Sequence, residues 1–249
     1  MEEQIMVQPH IHLSEELGVR YAILPGDPGR VTHIKEFLDD AQEVTFNREY
    51  RSAVGTYKGV KVLALSTGMG GVSVGIALEE LHNIGVEAVI RIGSAGALQE
   101  GIGIGDLILC EGAVREDGTS RTYVHPEYPA VADLEFLTCV VEAAKEQGFP
   151  YHLGIAHSHE SFYHDEADEI AAYWSRKGCL GADCETAPLY TVARLRGMKA
   201  ASILNNVVIW GEDTGESIGS FSEGEDMSYV GETREILTAL EAIVKLENR

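Results

Sequence analysis

The chain has 249 residues, of which 45% are hydrophobic, so it can bury a large core in one α/β domain. Its 19 Lys and Arg residues against 40 Asp and Glu residues give a net charge of −21, which argues against binding to nucleic acid or to an anionic membrane. Four cysteines lie far apart, without metal-ligand spacing, and no secretory or transmembrane pattern is found. We therefore expect a cytoplasmic protein with reduced thiols.

Strand and helix patterns alternate along the chain, and no linker, composition shift or internal repeat divides it. Strands are predicted at 21–24, 61–66, 88–92, 107–114, 151–156 and 199–210, with a further strand pair around 47–59. Helices are predicted at 31–38, after the turn at 67–73, at 133–147, from 181–186 to Arg196, and at 232–246. This alternation predicts one domain, residues 1–249, with a mixed sheet covered by helices on both faces.

The first strand leads into the turn Pro25-Gly26-Asp27-Pro28-Gly29-Arg30, whose two prolines and two glycines fix a rigid bend before a helix. Gly26 and Arg30 thus lie where a strand end meets a helix start, and backbone N–H groups there favour an anion. The turn lacks the Lys-Ser/Thr pair of a P-loop.

Arg48 follows within the predicted strand pair, and the turn at 67–73 carries Met69 between glycines. The G-x-G pattern of that turn does not indicate a dinucleotide site, because Ser73 stands in place of the third glycine. We interpret the turn as one that brings backbone amides close to a second anion or to a sugar.

Arg91 interrupts the buried strand at 88–92, and Gly93, Ser94 and Gly96 form a predicted glycine turn directly after it. An arginine cannot lose its proton and is costly to bury without a partner. The partner is either a bound anion or a carboxylate of the same fold, and this stretch alone leaves both interpretations open.

The second half of the chain adds a long loop at 116–130, to which we assign a binding or packing role, and a run dense in functional side chains at 157–168. That run is mostly loop, and its histidines lack the i, i+4 helical spacing of a zinc site, so no metal is predicted. The acidic segment at 211–226 is predicted to be a mobile loop or lid.

Three arginines beside glycine turns, in a strongly acidic chain, indicate a pocket for a small dianion such as phosphate. Glu185, at a helix start, has the chemistry to bind vicinal hydroxyls, and Phe162 to stack on a planar ring. An anion, a diol and a ring together describe a nucleoside and phosphate.

At this point the chain resembles the nucleoside phosphorylases of the hexameric class, which include uridine phosphorylase and bacterial purine nucleoside phosphorylase. The resemblance rests on GDPxR at 26–30, Arg48-Glu49, TGMG at 67–70, RIGSAG at 91–96, Phe162-Tyr163 and Asp183-Cys184-Glu185. The segments 117–120 and 128–130 resemble uridine phosphorylase in particular.

The resemblance implies a three-layer α/β/α fold with a mixed, partly barrel-like central sheet. It also implies reversible, phosphate-dependent cleavage of an N-glycosidic bond, giving free base and pentose 1-phosphate, with no cofactor beyond inorganic phosphate. The implied phosphate residues are Gly26, Arg30, Arg91 and Ser94, with Arg48 from a neighbouring subunit. The implied pentose residues are Met69, Cys184 and Glu185, with His10 across the same interface, and the implied base residues are Gly96, Phe162, Glu166, Asp168 and Asp183. Arg91 and Glu185 would be catalytic, and the expected assembly is a homodimer or a trimer of dimers.

Three departures from the family pattern affect the base and the pentose. Asp183 and Cys184 replace the first two residues of an E-M-E motif, and Glu166 and Asp168 stand where uridine phosphorylase has glutamine and arginine. The end of the last strand carries neither the aspartate of the purine enzymes nor the arginine of uridine phosphorylase. The general acid is therefore unassigned, and the candidates for a protonated carboxyl group are Glu166, Asp168, Glu212 and Asp213.

Two other interpretations of the same fold stay open beside a uridine-type or purine-type phosphorylase. A nucleosidase would use water, but relatives with that activity lack the phosphate arginines that this chain retains. A nucleoside-binding protein without catalysis is supported by the missing acid on the last strand alone.

Overall fold

A computed structural model describes residues 6–212 and 226–249. The strands are β1 Tyr21–Pro25, β2 Asp39–Asn47, β3 Tyr50–Tyr57, β4 Val60–Leu65, β5 Ala88–Ala97, β6 Leu107–Glu116, β7 Ala130–Val131, β8 Tyr151–His159, β9 Gly181–Asp183 and β10 Lys199–Val208. The helices are α1 Arg30–Lys35, α2 Gly71–Asn83, α3 Gly118–Tyr123, α4 Leu134–Gln147, α5 Ala167–Arg176, α6 Thr186–Leu195 and α7 Asp226–Glu247, with a 3₁₀ turn at Glu15–Leu17.

All ten strands of the described residues belong to one mixed sheet. Strand β5 pairs with β10 on one side and with β9 on the other, and β10, β6, β8 and β9 follow one another, so these five strands close on themselves. Strand β5 also pairs with β1, and β4, β3 and β2 follow β1 in that order in the sheet. The predicted mixed, partly barrel-like sheet is confirmed.

Helices cover the sheet on two sides, each over its own apolar core. Helices α2 and α6 contribute Leu78, Leu81 and Tyr190 to one core. Helices α1, α4 and α7 contribute side chains such as Ile34 and Phe136 to the other. Every one of these side chains is at most 1% exposed. The predicted three-layer α/β/α arrangement is confirmed.

Parallel strands bring the candidate residues to one edge. Strand β1 runs parallel to β5, with Leu24 opposite Arg91, and β10 runs parallel to β5 with Ser202 opposite Arg91. The carboxyl ends of such strands are the usual ligand-binding edge of an α/β sheet. The turn that follows β1 and the second half of β5 therefore lie together.

Several predicted boundaries were wrong. The glycine turn predicted at Gly93–Gly96 is instead part of β5, which runs to Ala97. The predicted loop at 116–130 contains α3 and β7, and the buried Arg115 organises it by donating to the carbonyl oxygens of Ser120, Val124, His125 and Tyr128. Strand β8 continues to His159, and helix α5, none of whose residues is buried, was not predicted.

Within the described ranges, every helix is too short or too polar to cross a membrane. In the same part of the chain, no group of three or more His, Cys, Asp and Glu side chains could hold a metal ion. All four cysteines are free, and Cys184 alone among them is partly exposed. Most of the predicted acidic loop, residues 213–225, lies outside the described residues.

Candidate active site

The anion end of the candidate site is built around Arg30, the first residue of α1, whose side chain is buried. Its Nη2 lies 3.5 Å from the Ser94 hydroxyl and its Nη1 3.4 Å from the carbonyl oxygen of Ile92. Gly26 lies against the next turn, where the Gly68 N–H donates to its carbonyl oxygen at 2.9 Å. A side chain at Gly26 would press on the Gly68 carbonyl, since a Cβ there would be 3.2 Å from that oxygen. Gly26, Arg30 and Ser94 thus share this edge of the sheet.

Two carboxyl groups of α7 hold the Arg30 guanidinium. Glu232 Oε2 lies 2.9 Å from Arg30 Nε, and Glu235 Oε1 lies 3.2 Å from Nη1. Glu235 also accepts the Gly93 N–H at 3.1 Å. Burial raises the pKa of Glu235 to about 8, so this carboxyl group keeps its proton at neutral pH. Sequence analysis missed both glutamates, although their i, i+3 spacing beside the buried Ile236 was a signal that they face inward.

Arg91 is buried and contacts two carboxylates of its own fold. Its Nε donates to Asp183 Oδ2 at 3.2 Å, and its Nη2 donates to Glu185 Oε2 at 2.5 Å. Its Nη1 is also buried, yet it has no hydrogen-bond partner among the described residues. The carboxylate interpretation of Arg91 is therefore confirmed for two of its nitrogens, and the bound-anion interpretation stays a prediction, with Nη1 as the nitrogen left for another acceptor.

The Arg91 guanidinium occupies the space that a side chain at position 93 would need. A Cβ at Gly93 would lie 2.5 Å from Arg91 Nη2 and 2.8 Å from Cζ, closer than real Cβ contacts.

We expect Gly93→Ala to lower the free energy of unfolding by about 1–3 kcal/mol, because the guanidinium must leave its carboxylates. Urea denaturation measures this. Gly103→Ala is the matched control, since the nearest atom to its Cβ would be at 3.5 Å. Equal stability of the two variants would contradict the packing argument.

Asp183, the last residue of β9, is committed to contacts within the fold. Its Oδ1 accepts from Ser158 at 2.6 Å, and its Oδ2 accepts from the Thr186 hydroxyl at 2.6 Å and the Thr186 N–H at 2.9 Å, in addition to Arg91. Its side chain has no exposed surface. The implied contact between Asp183 and the base stays a prediction, and these bonds favour a role in positioning Arg91 and the start of α6.

Glu185 lies at the start of α6 and faces the turn that follows β4. Besides the Arg91 contact, its Oε1 accepts the Gly70 N–H at 2.6 Å. Gly70 has φ +93°, a conformation that favours glycine and that directs this N–H toward the carboxylate. Met69, on the same turn, is 93% exposed. The structure thus brings Glu185 together with Arg91 and the TGMG turn, and leaves Met69 at the surface.

The side chains implied for the base lie on the outer rim of this edge. Phe162 is 46% exposed and packs edge-to-face against Tyr163 at 5.0 Å between ring centroids. Glu166 and Asp168, at the start of α5, are both exposed. Gly96, in β5, pairs with Ala182 of β9. No hydrogen bond or ring contact within the described residues joins Phe162, Glu166 or Asp168 to Arg91 or Glu185.

Burial does not single out a general acid among the four candidate carboxyl groups. Glu166, Asp168 and Glu212 are exposed, whereas the neutral form of a carboxyl group is favoured by burial. Asp213 lies outside the described residues.

His10 and Arg48 lie together on a separate flank. Glu80 of α2 is buried and holds the N-terminal arm, since its carboxylate accepts the Ile11 N–H at 2.8 Å and contacts His10 Nδ1 at 2.5 Å. Asn47 Nδ2 donates to the His10 carbonyl oxygen at 2.7 Å, and Arg48 follows in the β2–β3 turn with φ +56°. Arg48 is exposed. Asn47, the neighbour of Arg48, thus links this turn to the His10 backbone, and no hydrogen bond within the described residues joins Arg48 or His10 to Arg30 or Arg91.

A barrel-like mixed sheet that carries buried arginines and a buried glutamate at its carboxyl edge defines an α/β enzyme that handles a small anion. Residues 20–222 match the family model described as the phosphorylase superfamily. The chain therefore belongs to the phosphorylase superfamily, and the resemblance drawn from its motifs is confirmed.

Named relatives are of more than one kind. Uridine phosphorylase of Thermococcus kodakarensis is 44% identical over 79% of this chain and 76% of its own length. Guanosine phosphorylase of Halorubrum lacusprofundi is 40% identical over 79% of this chain and 81% of its own. The crystal structure of uridine phosphorylase from Vibrio fischeri has a TM-score of 0.89 and 44% identity, with 96% of each chain covered. Purine nucleoside phosphorylase from Toxoplasma gondii in complex with immucillin-H has a TM-score of 0.89 at 26% identity, covering 100% of this chain and 99% of its own.

Proposed function

We propose that this protein is a nucleoside phosphorylase, which transfers the pentosyl group of a nucleoside to inorganic phosphate and needs no other cofactor. The observation that carries the proposal is the buried Nη1 of Arg91, a donor without a partner among the described residues. Such a group costs free energy unless an acceptor reaches it. Phosphate oxygens are suitable acceptors for a guanidinium. Glu235 interacts electrostatically with both Arg30 and Arg91, so the two guanidiniums belong to one cluster.

The pentose is proposed to lie between this cluster and Glu185. Glu185 Oε1 accepts one bond, from the Gly70 N–H, whereas Oε2 accepts two, from Arg91 Nη2 and the Cys184 N–H. A carboxylate oxygen has capacity for about two, so Oε1 can also accept from a pentose hydroxyl. Phosphate held beside C1′ stabilises the positive charge that develops on the sugar and then captures it, so positioning and electrostatics supply most of the rate. Met69 and Cys184 complete the proposed pentose site.

We propose that each active site is shared between two subunits of a homodimer, which is the repeating unit of a trimer of dimers. The bond from Asn47 to the His10 carbonyl oxygen links the turn that carries Arg48 to the arm that carries His10, on a flank that exposes apolar side chains. Phe46 is 61% exposed, and Met69 and Val72 are 93% and 64% exposed. Apolar groups beside a charged residue fit an interface with a second copy. Across it, Arg48 reaches phosphate and His10 reaches the 5′-hydroxyl.

The base pocket supports two substrate classes. Uridine is favoured by the family framework, and a named uridine phosphorylase is 44% identical to this chain. A purine is favoured by Glu166 and Asp168, because carboxylates accept hydrogen bonds from a ring N–H or an amino group and repel carbonyl oxygens. A named guanosine phosphorylase at 40% identity supports the second class. Phe162 is proposed to stack on either ring.

The decisive experiment is release of free base from uridine, thymidine, cytidine, inosine, adenosine and guanosine, each with and without phosphate. We expect one base class to be cleaved, and only when phosphate is present, because water lacks the charge that Arg30 and Arg91 bind. Cleavage that does not depend on phosphate would establish a nucleosidase instead. Binding without cleavage of any nucleoside would establish a nucleoside-binding protein.

Two wider properties are part of the proposal. We place the enzyme in the cytoplasm, because its four cysteines are free thiols. We also propose that residues 1–249 act as one domain, because all ten strands belong to the same sheet.

A further inference from the structure

His159 is a titratable side chain at the candidate site to which neither the motifs nor the roles above give a task. It is the last residue of β8 and is partly exposed. Its Nδ1 lies 3.0 Å from the carbonyl oxygen of Ser161 and 3.7 Å from the Sγ of Cys184. The same ring nitrogen thus faces the segment that leads to Phe162 and the proposed pentose residue Cys184.

Strand geometry explains why this imidazole faces Cys184. Strands β8 and β9 run parallel, with Ser158 opposite Asp183, and these two side chains hydrogen-bond to each other on one face. Because side chains alternate along a strand, the next residues, His159 and Cys184, project to the other face together. Cys184 directly precedes Glu185, so the imidazole adjoins the place where the sugar meets the base.

The His157 ring packs against the His159 ring. Their ring centroids are 5.5 Å apart, and His157 is stacked on Trp174 at 5.3 Å and bonded to Glu116 at 2.7 Å. Burial lowers the pKa of His157, and burial raises the pKa of the Cys184 thiol to about 12, so both neighbours are neutral at pH 7. Neither of them opposes a positive charge on His159 by like-charge repulsion.

We propose that His159 is the general acid that protonates the leaving base, an inference that rests on the proposed phosphorylase function. With Nδ1–H donated to the Ser161 carbonyl, Nε2 carries the transferable proton. As a phosphate oxygen forms its bond to C1′, the electron pair of the glycosidic C–N bond passes to the base. The Nε2 proton then moves to a ring nitrogen or carbonyl oxygen of the base, and the neutral imidazole takes up a proton from water. This supplies the donor that the exposed carboxylates Glu166 and Asp168 do not.

The test compares two leaving groups in His159→Ala and His159→Gln. One substrate is the nucleoside that the wild-type protein cleaves best in phosphate. The other carries the same pentose and a base that leaves without protonation, 5-nitrouracil for a pyrimidine enzyme or an N7-methylated purine for a purine enzyme. We expect both variants to lower kcat on the ordinary nucleoside by about 10²-fold or more, and on the activated one by less than about tenfold. His159→Gln, which keeps an N–H donor, should leave KM near the wild-type value.

His152→Ala is the matched control, because His152 lies at the opposite end of β8 and pairs with Asp106 at 3.1 Å. It should leave both rates unchanged, and thermal unfolding should show all variants folded. An equal loss of kcat on the two substrates, or a loss below about threefold on the ordinary one, would overturn the assignment of His159 as the acid. Absence of phosphate-dependent cleavage by the wild-type protein would instead refute the proposed function, and the assignment with it.

Discussion

Arg91→Lys is expected to lower phosphate-dependent kcat/KM by about 10²–10³-fold while the protein stays folded. Lysine keeps the positive charge beside Asp183 and Glu185, but it has a single nitrogen where the guanidinium uses Nε, Nη2 and Nη1 in three directions. The ammonium cannot serve both carboxylates and phosphate with that geometry. Initial rates at varied phosphate concentration measure the effect. We expect a higher KM for phosphate and a lower kcat.

Arg91→Ala would be a poorer test, because it leaves two buried carboxylates without their partner. Removing one member of a buried ionic cluster costs about 3–5 kcal/mol, so loss of activity would be confounded with unfolding. Arg196→Lys is the control for the lysine variant, since Arg196 Nε and Nη2 also bind one carboxylate, that of Glu79. The control should keep wild-type rates. Unchanged kinetics in Arg91→Lys would refute the phosphate assignment of Arg91.

The arginines proposed to bind phosphate are located by local sequence signals, but their carboxylate partners are not. Arg30 and Arg91 stand out because each follows or interrupts an apolar run beside glycines. Glu235 reaches Arg30 and the Gly93 N–H from α7, at the far end of the chain. Contacts over such separations are decided by how helices pack on the sheet, which the periodicity of a single helix does not specify.

Glycine explains the clearest misprediction of secondary structure. A glycine-rich stretch after an apolar run usually indicates a turn, yet Gly93 continues β5. The reason is tertiary, because the missing Cβ makes room for the guanidinium two residues earlier. Helix α5 was missed for a different reason. Ile170, Tyr173 and Trp174 recur along it at helical spacing, but the helix starts inside the run at 157–168 that was predicted to be mostly loop.

The charges of the site show how a phosphate dianion can be bound in a very acidic protein. Each buried arginine is held by two carboxyl groups, Arg30 by Glu232 and Glu235, and Arg91 by Asp183 and Glu185. Full ionisation of all four would leave the cluster negative and repel phosphate. Burial raises the pKa of Glu235 to about 8, so near pH 7 its negative charge is largely absent. Three carboxylates then face the two guanidiniums instead of four, so one net negative charge remains, and Arg48 of a second subunit is the further positive charge that the proposed site needs.

Mixing two inactive variants is expected to restore activity if the active site is shared between subunits. Arg48→Ala should remove the phosphate contact that a subunit gives to the active site of its partner. Arg91→Lys should remove the phosphate contact that a subunit gives to its own active site. In a mixed dimer, the site built around the intact Arg91 receives the intact Arg48 from the other subunit. Random pairing should therefore recover about a quarter of wild-type turnover, because half of the dimers are mixed and each has one intact site.

The reciprocal mixture distinguishes this arrangement from one in which Arg48 serves its own subunit. The double variant Arg48→Ala, Arg91→Lys, mixed with an equal amount of wild-type protein, should also give about a quarter of the activity, since every mixed dimer then has no intact site. If Arg48 acted within its own chain, this mixture would keep about half of the activity and the first mixture would stay inactive. Arg48 is exposed, at a turn with φ +56° that its neighbour Asn47 links to the arm carrying His10, so its side chain can project toward a second copy. Co-expression of differently tagged chains and assay of the mixed species decide between the two arrangements.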